Sequence, residues 1–118
     1  MRKIDKPWGH ELIWAESPKY VGKVVTILAG KRQPLQYHKI KDKSIMVQSG
    51  TLKLETGAPN ERKSLTLNPG DTHHIFPGVI YRLSGITDVE ILEVSTSEMA
   101  DVVKIEDDYG KNDKTTQL

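Results

Sequence analysis

Short apolar runs, alternating or continuous and each closed by a Gly, Pro or Asn cluster, dominate this chain. Such segments suit half-buried strands of period two rather than helices of period 3.6. Strands are predicted at Lys23 to Ala29, Leu35 to His38, Ile45 to Gln48, Thr51 to Glu55, Ser64 to Leu67, His73 to Phe76, Ile80 to Ser84 and Val89 to Val94. Between them Ser49-Gly50, Gly57-Ala58-Pro59-Asn60, Pro69-Gly70 and Pro77-Gly78 supply turn chemistry. Strands at this spacing predict an all-β, double-sheet jelly roll. With 118 residues the chain is long enough for one core and too short for two, so a single domain over residues 1–110 is expected. Past Thr96 the pattern changes. The run SEMADVVKI, with Ser95 and Glu98 at capping-box spacing, predicts a short C-terminal helix, and the polar residues 111–118 predict a disordered tail.

A formal net charge of +1 gives no case for a nucleic-acid or membrane partner. The lack of cysteine removes disulfides, thiolate metal sites and a cysteine nucleophile. The opening MRKIDKPWGHELIW has no continuous apolar core of the signal-peptide kind, and no run approaches membrane-spanning length. A soluble cytoplasmic protein is the expectation.

Chemistry concentrates between Gly30 and Gly50, GKRQPLQYHKIKDKSIMVQSG. Gln36 and His38 are two apart, so on an extended strand both project from one face and can converge on one ligand or ion. The layout of Gly30, Gln36-x-His38, Lys43 and Gly50 resembles the first cupin motif, and PGDTHHIFPGVIYRL from Pro69 to Leu83 resembles the second. KPWG at Lys6 to Gly9, LQYH at Leu35 to His38, SGTLKLE at Ser49 to Glu55, ILEVST at Ile91 to Thr96 and VVKIEDDYGK from Val102 to Lys111 extend the likeness. In this order they are similar to small cupins of the mannose-6-phosphate isomerase-like type. These are related to the C-terminal domain of bifunctional mannose-1-phosphate guanylyltransferase/phosphomannose isomerases.

The resemblance implies a cupin barrel, usually dimeric, that holds a divalent metal and acts on a phosphorylated or nucleotide-linked sugar. In such isomerases the metal polarises the carbonyl and hydroxyl of an open-chain sugar while a base moves a proton between adjacent carbons. Gln36 and His38 match the family's ligand positions. Lys43 falls where the family has a ligand Glu, and Tyr81 where it has a ligand His. Lys104 and Lys111 lie where relatives generally have arginines, and lysine has no bidentate fork for a phosphate.

If Gln36 and His38 point inward, alternation puts Lys43 on one face with Ile45 and Val47, Tyr81 with Leu83, and His73 with Ile75, leaving His74 outward. The predicted pocket is therefore Gln36, His38, Lys43, His73 and Tyr81. A protonated Lys43 cannot ligate a metal. A divalent ion with one Glu ligand contributes about +1, the charge of one ammonium, so Lys43 can replace that pair in stabilising an oxyanion. Two versions stay open. One is a weak site for Zn, Ni, Mn or Fe on Gln36, His38 and His73, with Lys43 neutral or turned away. The other is a metal-free pocket in which His38, Lys43 and Tyr81 supply acid, base and anion-binding groups.

The functional expectation is a homodimeric cupin that binds a phosphorylated or nucleotide-activated sugar and, in the active case, isomerises it. A non-catalytic sugar or small-molecule binding or regulatory cupin is one alternative. A metal-free epimerase or dehydratase using His38, Tyr81 and Lys43 is the other. Blander readings stand beside these. Lys43 also reads as a solvated residue after the basic loop from Lys39, since lysines are mostly exposed. His10, Trp8 and Trp14 read as an N-terminal packing cluster, Glu106-Asp107-Asp108 as a solvated face, and Gly50, Gly70 and Gly78 as turn residues.

Overall fold

The computed structural model describes residues 1–109. In chain order the strands are β1 (Arg2–Lys6), β2 (Gly9–Glu16), β3 (Tyr20–Ile27), β4 (Leu35–Tyr37), β5 (Lys43–Ser49), β6 (Leu52–Thr56), β7 (Lys63–Leu67), β8 (Thr72–Ile75), β9 (Tyr81–Gly85), β10 (Val89–Thr96) and β11 (Val103–Glu106). They form a six-stranded sheet ordered β1-β2-β3-β10-β5-β8 and a five-stranded sheet ordered β11-β4-β9-β6-β7, all pairs antiparallel. This is the predicted double-sheet jelly roll. Each strand expected from the sequence is present.

The inward faces supply the core. Val25 and Ile27 of β3, Ile45 and Val47 of β5, Leu52 and Leu54 of β6, Leu83 of β9 and Ile91 of β10 are buried in one cluster. Alternation along β5 is clean, with Lys43, Ile45 and Val47 buried and Ser44 and Met46 exposed. Gly50 closes the β5–β6 hairpin at φ +81°, and a Cβ there would lie 2.0 Å from the Asp88 carbonyl oxygen, so only glycine fits.

Three strands lie outside the sequence prediction. The β1–β2 hairpin pairs Lys6 with Gly9 across Pro7-Trp8, and β1 is hard to read because RKIDK carries one apolar residue. The third strand, β11, replaces the expected C-terminal helix. Ser95 and Thr96 are already part of β10, and the Ser95 hydroxyl donates to the Thr96 carbonyl oxygen (2.8 Å) instead of capping a helix. Residues 97–102 form tight turns, and then Val103 pairs with Tyr37 and Lys104 with Gln36 on β4. The β-branched Val102, Val103 and Ile105 favour extended backbone, and pairing satisfies the edge of β4 that a helix would leave open. The expected tail over 111–118 lies outside the described residues.

The N-terminal aromatic cluster does not form either. Trp8 is buried in the core, whereas Trp14 faces out and lies over Gly22, where a Cβ would meet its ring at 2.8 Å.

Candidate ligand cavity

One end of the barrel opens into a cavity of about 560 Å³ between the two sheets, within the size range of small-molecule sites. Its wall draws on β2, β3, β4, β5, β9 and β10, with the segment from Met99 to Tyr109 along one side. Gln36, His38, Lys43 and Tyr81 all line it. His73 does not. Register explains this: on β5, Ile75 sits opposite Lys43 and His73 sits opposite Ile45, so the isoleucine takes the place nearest the site. His73 stays half-buried on the edge strand, and His74 points outward to Asp42 at 2.5 Å.

Lys43 points into the barrel. Only 5% exposed, it sits with its Nζ 3.1 Å from Glu93 Oε1 and 4.8 Å from the centre of the Tyr81 ring. Burial alone would push the lysine down, but the Glu93 carboxylate and the Tyr81 hydroxyl outweigh it, and Lys43 is held charged above the ordinary lysine range. Burial would likewise raise Glu93, yet Lys43, Lys23 and Lys41 hold it at about 2. Burial pushes the Tyr81 phenol up, with Lys43 opposing in part.

His38 is fixed from both ring nitrogens. Its Nδ1 lies 2.6 Å from the Asp101 carbonyl oxygen, an acceptor only, so Nδ1 carries the proton and donates. Nε2 is then left to accept the Tyr81 hydroxyl proton at 2.7 Å. Burial, with the Lys41 and Lys43 charges, pushes His38 down to about 4, so it is a neutral imidazole near pH 7. The backbone is held too, since the Gly78 N–H donates to the His38 carbonyl at 2.7 Å from the Pro77-Gly78 turn.

Several cavity groups escaped the sequence reading. Lys23, directly across from Glu93, reaches Glu11 at 3.0 Å and Glu93 at 4.0 Å. Charges therefore alternate along Lys43, Glu93, Lys23 and Glu11. Lys41 also lines the cavity while nearly fully buried. Asp101 organises this end: its carboxylate accepts the amides of Lys39 (3.1 Å), Ile40 (2.7 Å) and Lys41 (2.8 Å), and its carbonyl orients His38. The Lys41 and Ile40 amides hold that carboxyl at about 2. Of the acidic run read as a solvated face, Asp107 turns into the cavity wall and pairs with Lys104 at 3.5 Å. Arg32 grips Asp108 through two hydrogen bonds of 2.7 and 2.9 Å, and Arg82 donates to the Glu106 carbonyl, so the strap carrying Asp107 is tied down. Lys111 lies outside the described residues.

The donor set is a poor one for a divalent metal. The His38 Nε2 lone pair receives the Tyr81 hydroxyl, the Gln36 amide is turned toward Gln33 at 3.4 Å, and a charged lysine stands at the carboxylate position. Among the described residues no group of three or more His, Asp or Glu side chains is placed to hold an ion.

Solved structures with this architecture are cupins. KdgF from Halomonas sp. superposes with a TM-score of 0.73 at 17% identity, covering 83% of this chain and 89% of that one. The capsular polysaccharide assembling protein CapF from Staphylococcus aureus gives 0.75 at 16%, covering 89% of this chain and 31% of that one. Oxalate decarboxylase from Lactobacillus farciminis gives 0.71 at 15%, covering 88% and 33%. The domain thus spans about a third of the last two proteins, and identities this low show the fold alone. The Bacillus subtilis oxalate decarboxylase in this group carries Mn(II) centers. No curated protein sequence matches the chain. A family model, mannose-6-phosphate isomerase C-terminal, matches residues 1–108, and the chain belongs to that family. Among the described residues no helix is long and apolar enough to cross a membrane.

Proposed function

We propose that this domain binds a phosphorylated or nucleotide-activated sugar in the barrel-end cavity without depending on a resident metal. The observation that carries the reading is the buried Lys43–Glu93 ion pair, which stands beneath a hydrogen-bonded His38 and Tyr81 at the family's metal-ligand positions. Lys23, Lys41 and Lys43 against Glu11 and Glu93 leave the cavity with an excess of positive charge, which favours an anionic ligand. The imidazole and phenol are suited to hydroxyl and carbonyl groups. If turnover occurs, Tyr81 gives its hydroxyl proton to the substrate, His38 Nε2 takes the proton leaving the substrate carbon and passes it back to the Tyr81 oxygen, and Lys43 holds the developing oxyanion. A second reading, binding without turnover, is favoured by the low pKa of His38, which makes it a weak base near neutrality.

Supporting features extend the proposal. At most a weakly held Zn, Ni, Mn or Fe is expected. A cytoplasmic protein without nucleic-acid or membrane partners accords with the net charge and the lack of cysteine. A homodimer accords with the exposed apolar outer face of the six-stranded sheet.

Titration calorimetry with mannose 6-phosphate and with a nucleotide sugar, run with and without chelator, tests the reading. Proton exchange at the sugar's C2 is followed in parallel by NMR. Binding unaffected by chelator and abolished in Lys43→Met supports it, and exchange lost in Tyr81→Phe assigns the proton donor. Near-stoichiometric metal by plasma mass spectrometry, with binding lost on chelation, would overturn the metal-free site. Light scattering settles the dimer.

A further inference from the structure

We propose that Lys41 is a carbonyl-reactive amine that forms an imine with an aldehyde or ketone bound in the cavity. The other two lysines buried at this end are each matched to a carboxylate, Lys43 to Glu93 at 3.1 Å and Lys23 to Glu11 at 3.0 Å. Lys41 is as deeply buried, at 5% exposed, lines the cavity, and makes neither an ion pair nor a side-chain hydrogen bond among the described residues. Its backbone is not free to swing it out to water, because Asp101 clamps the amides from Lys39 to Lys41. A desolvated lysine beside a second cation is the arrangement that makes an amine nucleophilic near neutral pH. Lys43, Glu93, Lys23 and Glu11 act on it across the cavity, and its charge is felt in turn by His38. Burial first, then Lys43, brings it down to about 8.

The step is balanced without any co-reactant. After the ammonium releases its proton to solvent, the Nζ lone pair adds to the carbonyl carbon and the π electrons move to oxygen, which takes one amine proton. The C–O bond then breaks, the oxygen leaves as water with the second amine proton, and the C=N bond forms. A protonated imine withdraws electrons from the neighbouring C–H. His38 and Tyr81 line the same cavity and can move that proton. The inference rests on the reading that this cavity is the ligand site, and it adds covalent chemistry to it.

Reductive trapping tests it directly. The intact protein is treated with glyceraldehyde and sodium cyanoborohydride at pH 8, and modification at each of the thirteen lysines is quantified by peptide mass spectrometry. Lys41 is expected to be labelled about tenfold faster than the exposed Lys39, with the preference erased in urea and the Lys41 rate levelling off near pH 8. Labelling of Lys41 no faster than Lys39 in the folded protein overturns the proposal. Calorimetry with mannose 6-phosphate on the same preparation separates the two claims. Sugar binding without Lys41 labelling sinks the imine alone, and Lys41 labelling without sugar binding sinks only the sugar reading.

Discussion

The two faces of β3, β10 and β5 near the cavity are amphipathic in the reverse sense. Inside, Lys23, Glu93 and Lys43 are buried. Outside, Val94 of β10 is 55% exposed, and Trp14 of the neighbouring β2 is 57% exposed. Two residues deeper the ordinary order returns, with Val25, Ile91 and Ile45 inside. Alternation is thus set by the deep part of each strand and carried rigidly to its end, because a one-residue slip would turn every core side chain outward. The core decides parity, and the rim of the barrel is free to place charges wherever parity puts them. What makes this tolerable is that the inward charges neutralise one another in sequence, from Lys43 to Glu11.

The sharpest way to break the contrast is to unbalance the inner face. Glu93→Gln leaves Lys43 and Lys23 without their shared carboxylate and is expected to cost about 3–5 kcal/mol in urea unfolding. Replacing the pair together, Glu93→Leu with Lys43→Met, should recover most of that loss. Equal losses in both would mean that charge balance is not what holds this end together.

Acid attacks the same face. Glu93 has its folded pKa depressed to about 2, so its stabilising contribution is present above about pH 4.5 and is lost as pH falls toward 2. His38, held neutral down to about 4 against an ordinary value near 6.5, requires the unfolded chain to bind a proton first, so stability also falls from pH 6.5 to 4. The melting temperature should therefore decline in both windows. In His38→Gln the upper one should flatten.

Tyr81→Phe removes the donor to His38 Nε2 and leaves that nitrogen facing the cavity, with an expected cost of about 1–3 kcal/mol by denaturant melts. The smallest effects belong outside. Met46→Thr and Val94→Thr should change stability by no more than about 0.5 kcal/mol, since neither creates a cavity. A larger loss, dependent on protein concentration, would show that a second copy covers this face.

Much of the fold was legible because buried strands announce themselves. The runs around Val25, Val47, Leu54, Leu83 and Ile91 are apolar at every second position, and Gly50 and Gly78 mark turns that other residues fit poorly. β11 was not legible. Its helical spacing and its β-branched residues argued against each other, and the open edge of β4 decided between them. In the site, Gln36, His38, Lys43 and Tyr81 could be grouped because the cupin-like spacing ties two strand pairs together. Glu93 could not, since Leu92 and Val94 flank it and read locally as the buried pair. Asp101 and Lys41 also gave no signal, because a clamp between a loop and a turn sixty residues away has no local pattern.

The residue pattern alone settles the turns and the parity of most strands, which follow from nearest-neighbour backbone geometry and residue type. That Lys43 and Tyr81 stand in place of a carboxylate and a histidine is what the resemblance to the cupin motifs implies. It took the closed barrel to decide that Lys43 is charged and paired, that His73 stands opposite Ile45 and not at the site, and that Lys41 has no ion-pair partner among the described residues. Those depend on which strands lie opposite one another and on how far water is excluded, quantities that exist only once the sheets have closed.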